Sequence, residues 1–137
     1  MDYLLFLIIV NSILVGVILM TQVISYPLLL KVKQNIFNHY YNSYTRRISI
    51  IVIPLMFFEL LLSTTINITF DNAYIAASNI LLLIIWGSTF FVQVPIHNRL
   101  SLSHSNLLIE KLIFTNWIRT IAWTCKLMVI IKLYMMQ

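Results

Sequence analysis

Apolar residues along this chain come in long blocks, with none of the short alternation expected of a soluble fold. Tyr3 to Leu30 contains no charged residue, and neither does Asn72 to Asn98. Two more blocks, beginning near Ile48 and Trp117, are broken only by isolated charges. A helix needs about 20 mostly apolar residues to cross a bilayer, so the pattern predicts spans near 3–25, 48–68, 74–94 and 117–134. The short Thr69–Asn72 turn makes the second and third spans an antiparallel hairpin. The longer connections 26–47 and 95–116 then share the opposite face, and the first has room for an interfacial helix over about 34–45. The expected architecture is all-α, one integral membrane domain over 1–137, an antiparallel four-helix transmembrane bundle. No internal repeat or low-complexity segment is evident.

Composition agrees. Hydrophobic residues make up 61% of the chain and charged residues 9%, with a mean hydropathy of +0.92; about 25% charged is usual for a soluble domain. The first apolar block has Asp2 where a secretory leader is basic and no small-residue cleavage site after it, so it reads as a retained helix. Cys125 is the single cysteine, which rules out an intrachain disulfide and a multi-thiolate metal site.

Charge sets the expected orientation. Lys31, Lys33, Arg46 and Arg47 fall in the first connection, Arg99 and Lys111 in the third, against Asp2 and Asp71 on the other face, where Lys132 is the counterexample. The positive-inside rule puts the basic loops in the cytoplasm and both termini outside. Tyr3, Tyr74 and Tyr134 would mark the outer interface, Tyr26 and Trp117 the inner one. The localisation expected is a bacterial inner membrane. The net charge of +5 then belongs to loops against anionic lipid, not to nucleic acid. The partners expected are the bilayer, a lipophilic small molecule, and either another membrane protein or a second copy of the chain.

Residues three, four and seven apart share a helix face. Asn79, Trp86, Gln93 and His97 line up on the third span, and Asn116, Arg119, Trp123 and Lys126 on the fourth. The second offers Glu59 and Ser63, the first Asn11 and Gln22. Lipid exposure of such stripes is costly, so they should converge inside the bundle. Glu59 and Lys126 fall at similar depth: either a structural ion pair or a proton-handling acid with a neighbouring cation.

Gln93, His97, Asn98, Asn116 and Arg119 come from helix ends on one face, with His39, Tyr44, Arg46 and Arg47 from the preceding connection. Arginine supplies a fixed fork of donors and histidine a titratable nitrogen, a set suited to an anionic or phenolic group. The alternative is interfacial capping and snorkelling. The candidate catalytic residues are His97, Glu59 and Arg119; Asn116, Gln93, Trp123, Asn98, Arg47 and His39 are candidate substrate contacts. His39, His97 and Glu59 form a conceivable non-haem metal set, although no HxxH, HxxxH or ExxH spacing supports it.

The run Val94-Pro-Ile-His-Asn-Arg-Leu100, followed by Asn116-Trp-Ile-Arg-Thr120, resembles the anthrone oxygenase-like family of small four-helix membrane proteins. That family has a Val-Pro-x-Asn-Asn-x-Leu type motif ending its third span and a Trp-Asn-x-x-Arg-Thr type motif opening its fourth. Asn98, Arg99, Leu100, Asn116, Arg119 and Thr120 fit. His97 stands in place of Asn, and Trp117 follows Asn116 where the family has it before. The likeness covers the C-terminal third well; elsewhere it is hydropathy plus Pro27 and Pro54. The resemblance implies oxidation of an anthrone to an anthraquinone with oxygen. The leading expectation is an oxidoreductase acting on a lipophilic aromatic or quinone-like molecule, with His97 as base or ligand, Arg119 and Asn116 holding a substrate oxygen, and Glu59 handling a proton. The competing class is a non-enzymatic membrane subunit or scaffold whose polar residues fix helix packing.

Overall fold

The computed structural model describes residues 2–69 and 71–136, with the side chain of Asp2 outside the description. It is four long antiparallel helices. The first, α1, runs Asp2–Met20, a π turn Thr21–Ser25 and a last α turn Tyr26–Leu29. Helix α2 is Gln34–Thr69; α3 is Ala73–Ser88, a π turn Thr89–Gln93 and Val94–Leu102; α4 is Asn106–Met135.

The expected connections 26–47 and 95–116 are therefore mostly helix, and the true turns are residues 30–33 and 103–105. The segment 34–45 is helical as expected, but it continues into the second span without lying flat as a separate element. Nothing between Gln34 and Ile48 breaks a helix, and its inner face is apolar enough to bury. At about 1.5 Å per residue, the 36 residues of α2 reach roughly 54 Å, well beyond a hydrocarbon core of about 30 Å.

Helices α1, α2 and α3 are long and apolar enough to cross a membrane. Helix α4 is equally long, but Arg119, Lys126 and Lys132 interrupt its apolar run, and the first two are buried in the bundle. Arg119 and Lys126 are turned inward, where they have hydrogen-bond partners, and the lipid-facing side stays apolar with Ile118, Ile121 and Met128 exposed.

The two π turns share one cause. Each lies just before a proline, Pro27 or Pro95, which has no N–H to offer and whose ring crowds the carbonyl four residues back. The chain widens instead, so that the Tyr26 N–H bonds the Thr21 carbonyl and the Val94 N–H bonds the Thr89 carbonyl. Both turns open on a threonine six residues before the proline. This is a short repeat that hydropathy alone does not reveal.

Three apolar layers fill the interior. One end holds Tyr26, Leu29, Phe37, Tyr41, Ile96, Leu100, Ile109 and Leu112. The middle holds Leu14, Val15, Ile18, Met56, Ile85, Ala122 and Trp123, and the far end Leu4, Leu7, Ile66, Ile75, Ile130 and Leu133. The exposed cations Lys31, Lys33, Arg46, Arg47, Arg99 and Lys111 gather around the first layer, called the basic end below. Asn72 and Ser105 cap α3 and α4, accepting from the N–H groups of Tyr74 and Leu108.

Candidate functional site

A cavity of about 340 Å³ lies between the basic-end layer and the middle layer, and all four helices line it. Most of its wall is apolar: Leu14, Ile18, Ile48, Val52, Ile53 and Met56 among others. Its polar wall is made by Gln93, His97 and Asn98 from α3 and Arg119 and Trp123 from α4. Five of the sequence-predicted site residues thus meet at one place.

Arg119 is 7% exposed. Its Nε donates to Asn116 Oδ1 at 3.0 Å, and a second guanidinium nitrogen shares that acceptor. The arginine side chain leans back over the preceding turn, the usual direction for a long helical side chain, and its Cζ lies 6.0 Å from the Trp123 ring centroid. Among the described residues it has no carboxylate partner; the ion pair present is Glu59–Lys126. Asn116 does not line the cavity and acts from beneath. Its Nδ2 donates to Gln22 Oε1 at 2.7 Å, and Gln22 Nε2 donates to the Ile113 carbonyl at 2.9 Å. Gln22 lies in the π turn of α1, so that bulge fixes the support of the arginine.

His97 is held between two phenols. Tyr26 Oη lies 3.2 Å from Nε2, and Tyr41 Oη is hydrogen-bonded to Nδ1. A neutral imidazole has one N–H and one bare nitrogen, so one tyrosine donates to the ring and the other accepts from it. Tyr26 also lines the cavity, while Tyr41 sits behind and stacks on Phe37 with centroids 5.3 Å apart. Gln93 Nε2 donates to Thr115 Oγ1 at 2.9 Å, which leaves its buried Oε1 without a hydrogen-bond donor.

Glu59 is apart from this wall. It is fully buried, 2.7 Å from Lys126 Nζ, and accepts from Trp123 Nε1 at 3.1 and 3.2 Å. Lys126 also donates to Ser63 Oγ at 3.2 Å. Trp123 therefore divides the two clusters, its ring on the cavity and its N–H on the carboxylate.

His39 and Arg47 are exposed and do not reach the cavity. The conceivable metal set is accordingly not assembled: no group of three His, Cys, Asp or Glu is positioned for an ion among the described residues. His39 is two residues from the inward Tyr41, which puts it on the opposite side of α2. Glu59 is twenty residues beyond His39 along the same helix, roughly 30 Å away. Trp86 also leaves its expected stripe, meeting Phe57 edge-on at 5.7 Å, because the π turn between it and His97 rotates the following face.

Tyr41 is the residue that sequence reasoning missed, and Tyr26 was expected at an interface. The signal was present. Phe37, Tyr41, Ile48, Met56, Glu59, Ser63 and Ile66 fall at helical spacing once α2 is read as one helix from Gln34. No family model, no curated protein and no solved structure matches this chain.

Proposed function

We propose that this protein binds a lipophilic aromatic or quinone-like molecule inside the bundle and acts on it as an oxidoreductase. A buried arginine without a carboxylate partner among the described residues, on the polar wall of a mostly apolar cavity, carries the reading. An intramembrane cation is expensive unless something negative or strongly accepting meets it. A carbonyl or phenolate oxygen satisfies Arg119, the flat apolar remainder of such a molecule suits the other walls, and Gln93 offers an unused acceptor to a hydroxyl.

His97 is the proton acceptor. A phenolic ligand held by Arg119 gives its proton to the Tyr26 hydroxyl as that hydroxyl passes its own to Nε2 of His97, and Tyr41, accepting from Nδ1–H, keeps the ring oriented. The phenolate so formed is the form that surrenders electrons most readily. With dioxygen dissolved in the bilayer as acceptor, a hydroquinone loses two electrons and two protons to become the quinone, and dioxygen leaves as hydrogen peroxide. The likeness of the Gln93–Thr120 region to the anthrone oxygenase-like family supports the same substrate class. The basic end faces the cytoplasm in this reading, both termini lie outside, and the membrane is a bacterial inner membrane.

A scaffold role is the second reading, favoured by the Glu59–Lys126–Ser63 cluster, whose groups are paired with one another and need no ligand. Purification in mild detergent followed by native mass spectrometry separates the two. The ligand-binding reading expects a retained aromatic molecule in the wild type. It also expects the molecule to be lost in Arg119→Met and His97→Ala, at near wild-type thermal stability. A charge-assisted hydrogen bond is worth about 1.5–3 kcal/mol, so each variant should weaken retention roughly 10- to 100-fold. Failure of both variants to fold supports the scaffold.

A further inference from the structure

Helices α2 and α3 are clasped at their ends and parted between. At the basic end Asn38 Nδ2 donates to the Leu102 carbonyl at 2.9 Å, and Asn42 Nδ2 reaches the Ser101 carbonyl at 3.5 Å. At the other end Asn79 Nδ2 donates to Asn67 Oδ1 at 2.9 Å, and nearer the middle Phe57 meets Trp86. Helices α2 and α3 touch each other little, while α1 packs closely on α2 and α4, and α3 packs closely on α4. The cavity reaches the outside of the bundle between α2 and α3. Ile53 and Val94 both line it, yet they are 52% and 37% exposed. Pro54 sits at the same level and has no N–H for the Ile50 carbonyl, which loosens α2 beside the opening.

This opening is a side window in the apolar belt. Ile50, Phe57 and Phe90, exposed on the same two helices, give its surroundings a lipid-facing character. Towards the basic end the lining turns polar, with Thr45, Asn98 and Ser101, and beyond them stand the asparagine clasps and the layer of Phe37, Tyr41 and Leu100. A cavity of about 340 Å³ is also near the small limit of ligand pockets, about 300 Å³. It accepts a ring-sized head and has no space for a long chain.

We infer that the ligand is a tailed amphiphile that reaches the cavity sideways from the bilayer through the window between α2 and α3. Its oxygen-bearing ring turns inward to Arg119 and His97. Its hydrocarbon tail passes between Ile53 and Val94 and stays in the lipid. This inference rests on the ligand-binding reading above and adds to it the shape of the ligand and its route.

The test uses the full chain in lipid nanodiscs with Trp86→Phe and Trp117→Phe, which leaves Trp123 on the cavity wall as the sole fluorophore. The probes are a long-chain ubiquinone and the same quinone ring without its isoprenoid tail. Both should quench Trp123 saturably. Narrowing the window with Ile53→Phe plus Val94→Phe should raise the half-quenching concentration of the tailed probe about tenfold or more beyond whatever change the tail-less probe shows. Equal effects on both probes, or none on either, overturn the side route while leaving the ligand reading standing. Absence of saturable quenching by either probe before narrowing, or quenching that survives Arg119→Met unchanged, overturns the ligand reading and this inference with it.

Discussion

At the scale of single residues, two buried cations about two turns apart on one helical stripe have opposite environments. Lys126 has a carboxylate at 2.7 Å and a serine hydroxyl at 3.2 Å, while Arg119 has the neutral Asn116 and a tryptophan face. Removing one member of a buried pair strands the other, at about 3–5 kcal/mol, whereas replacing both by apolar groups of similar volume is often neutral. Lys126→Met and Glu59→Met alone should therefore each lower thermal stability strongly, and the double variant should recover most of it. Thermal unfolding in detergent reads this out, and additive losses in the double variant would count against the pairing. Tyr41→Phe deletes the hydroxyl on His97 Nδ1 without changing the shape of the core. The expected stability loss is about 1 kcal/mol, with a larger fractional loss of ligand retention, because the imidazole is then free to turn.

At the scale of elements, the two π turns are what set the site. Both use a proline to release a turn of helix, and both place a glutamine inward: Gln22 under Asn116, Gln93 on the cavity wall. π bulges inside α-helices are frequent at functional sites because they re-aim side chains. Pro95→Ala restores the missing N–H and should let Thr89–Gln93 relax toward regular α-helix. Helicity by circular dichroism should hold or rise while ligand retention falls, since Gln93 and His97 would rotate relative to Arg119. Unchanged retention would show that the bulge does not set the geometry.

At the scale of the whole molecule, the exposed cations other than Lys132 collect at one end, and the apolar belt occupies most of the rest. The proposed orientation predicts that, in a Cys125→Ser background, Asp71→Cys is labelled by a membrane-impermeant thiol reagent in intact cells. Ser103→Cys should react only after permeabilisation. The reverse pattern would invert the topology without altering the cavity.

What the sequence determined by itself is the number of helices and their antiparallel order. Long apolar blocks and the Thr69–Asn72 turn leave few alternatives, and the inward faces of α4 follow from the spacing of Asn116, Arg119, Trp123 and Lys126. It also marked most of the cavity's polar wall, because polar residues in an apolar block stand out. Only the tertiary structure decided where helices end, since the helix expected over 34–45 runs on into the second span once Phe37 and Tyr41 pack into the basic-end layer. It alone separated His97 from Glu59, turned His39 outward and joined His97 to two tyrosines. Those outcomes depend on two proline-induced bulges that shift the helical phase, and on which faces four helices turn to one another. A repeat of 3.6 residues cannot report either, because it describes each helix alone.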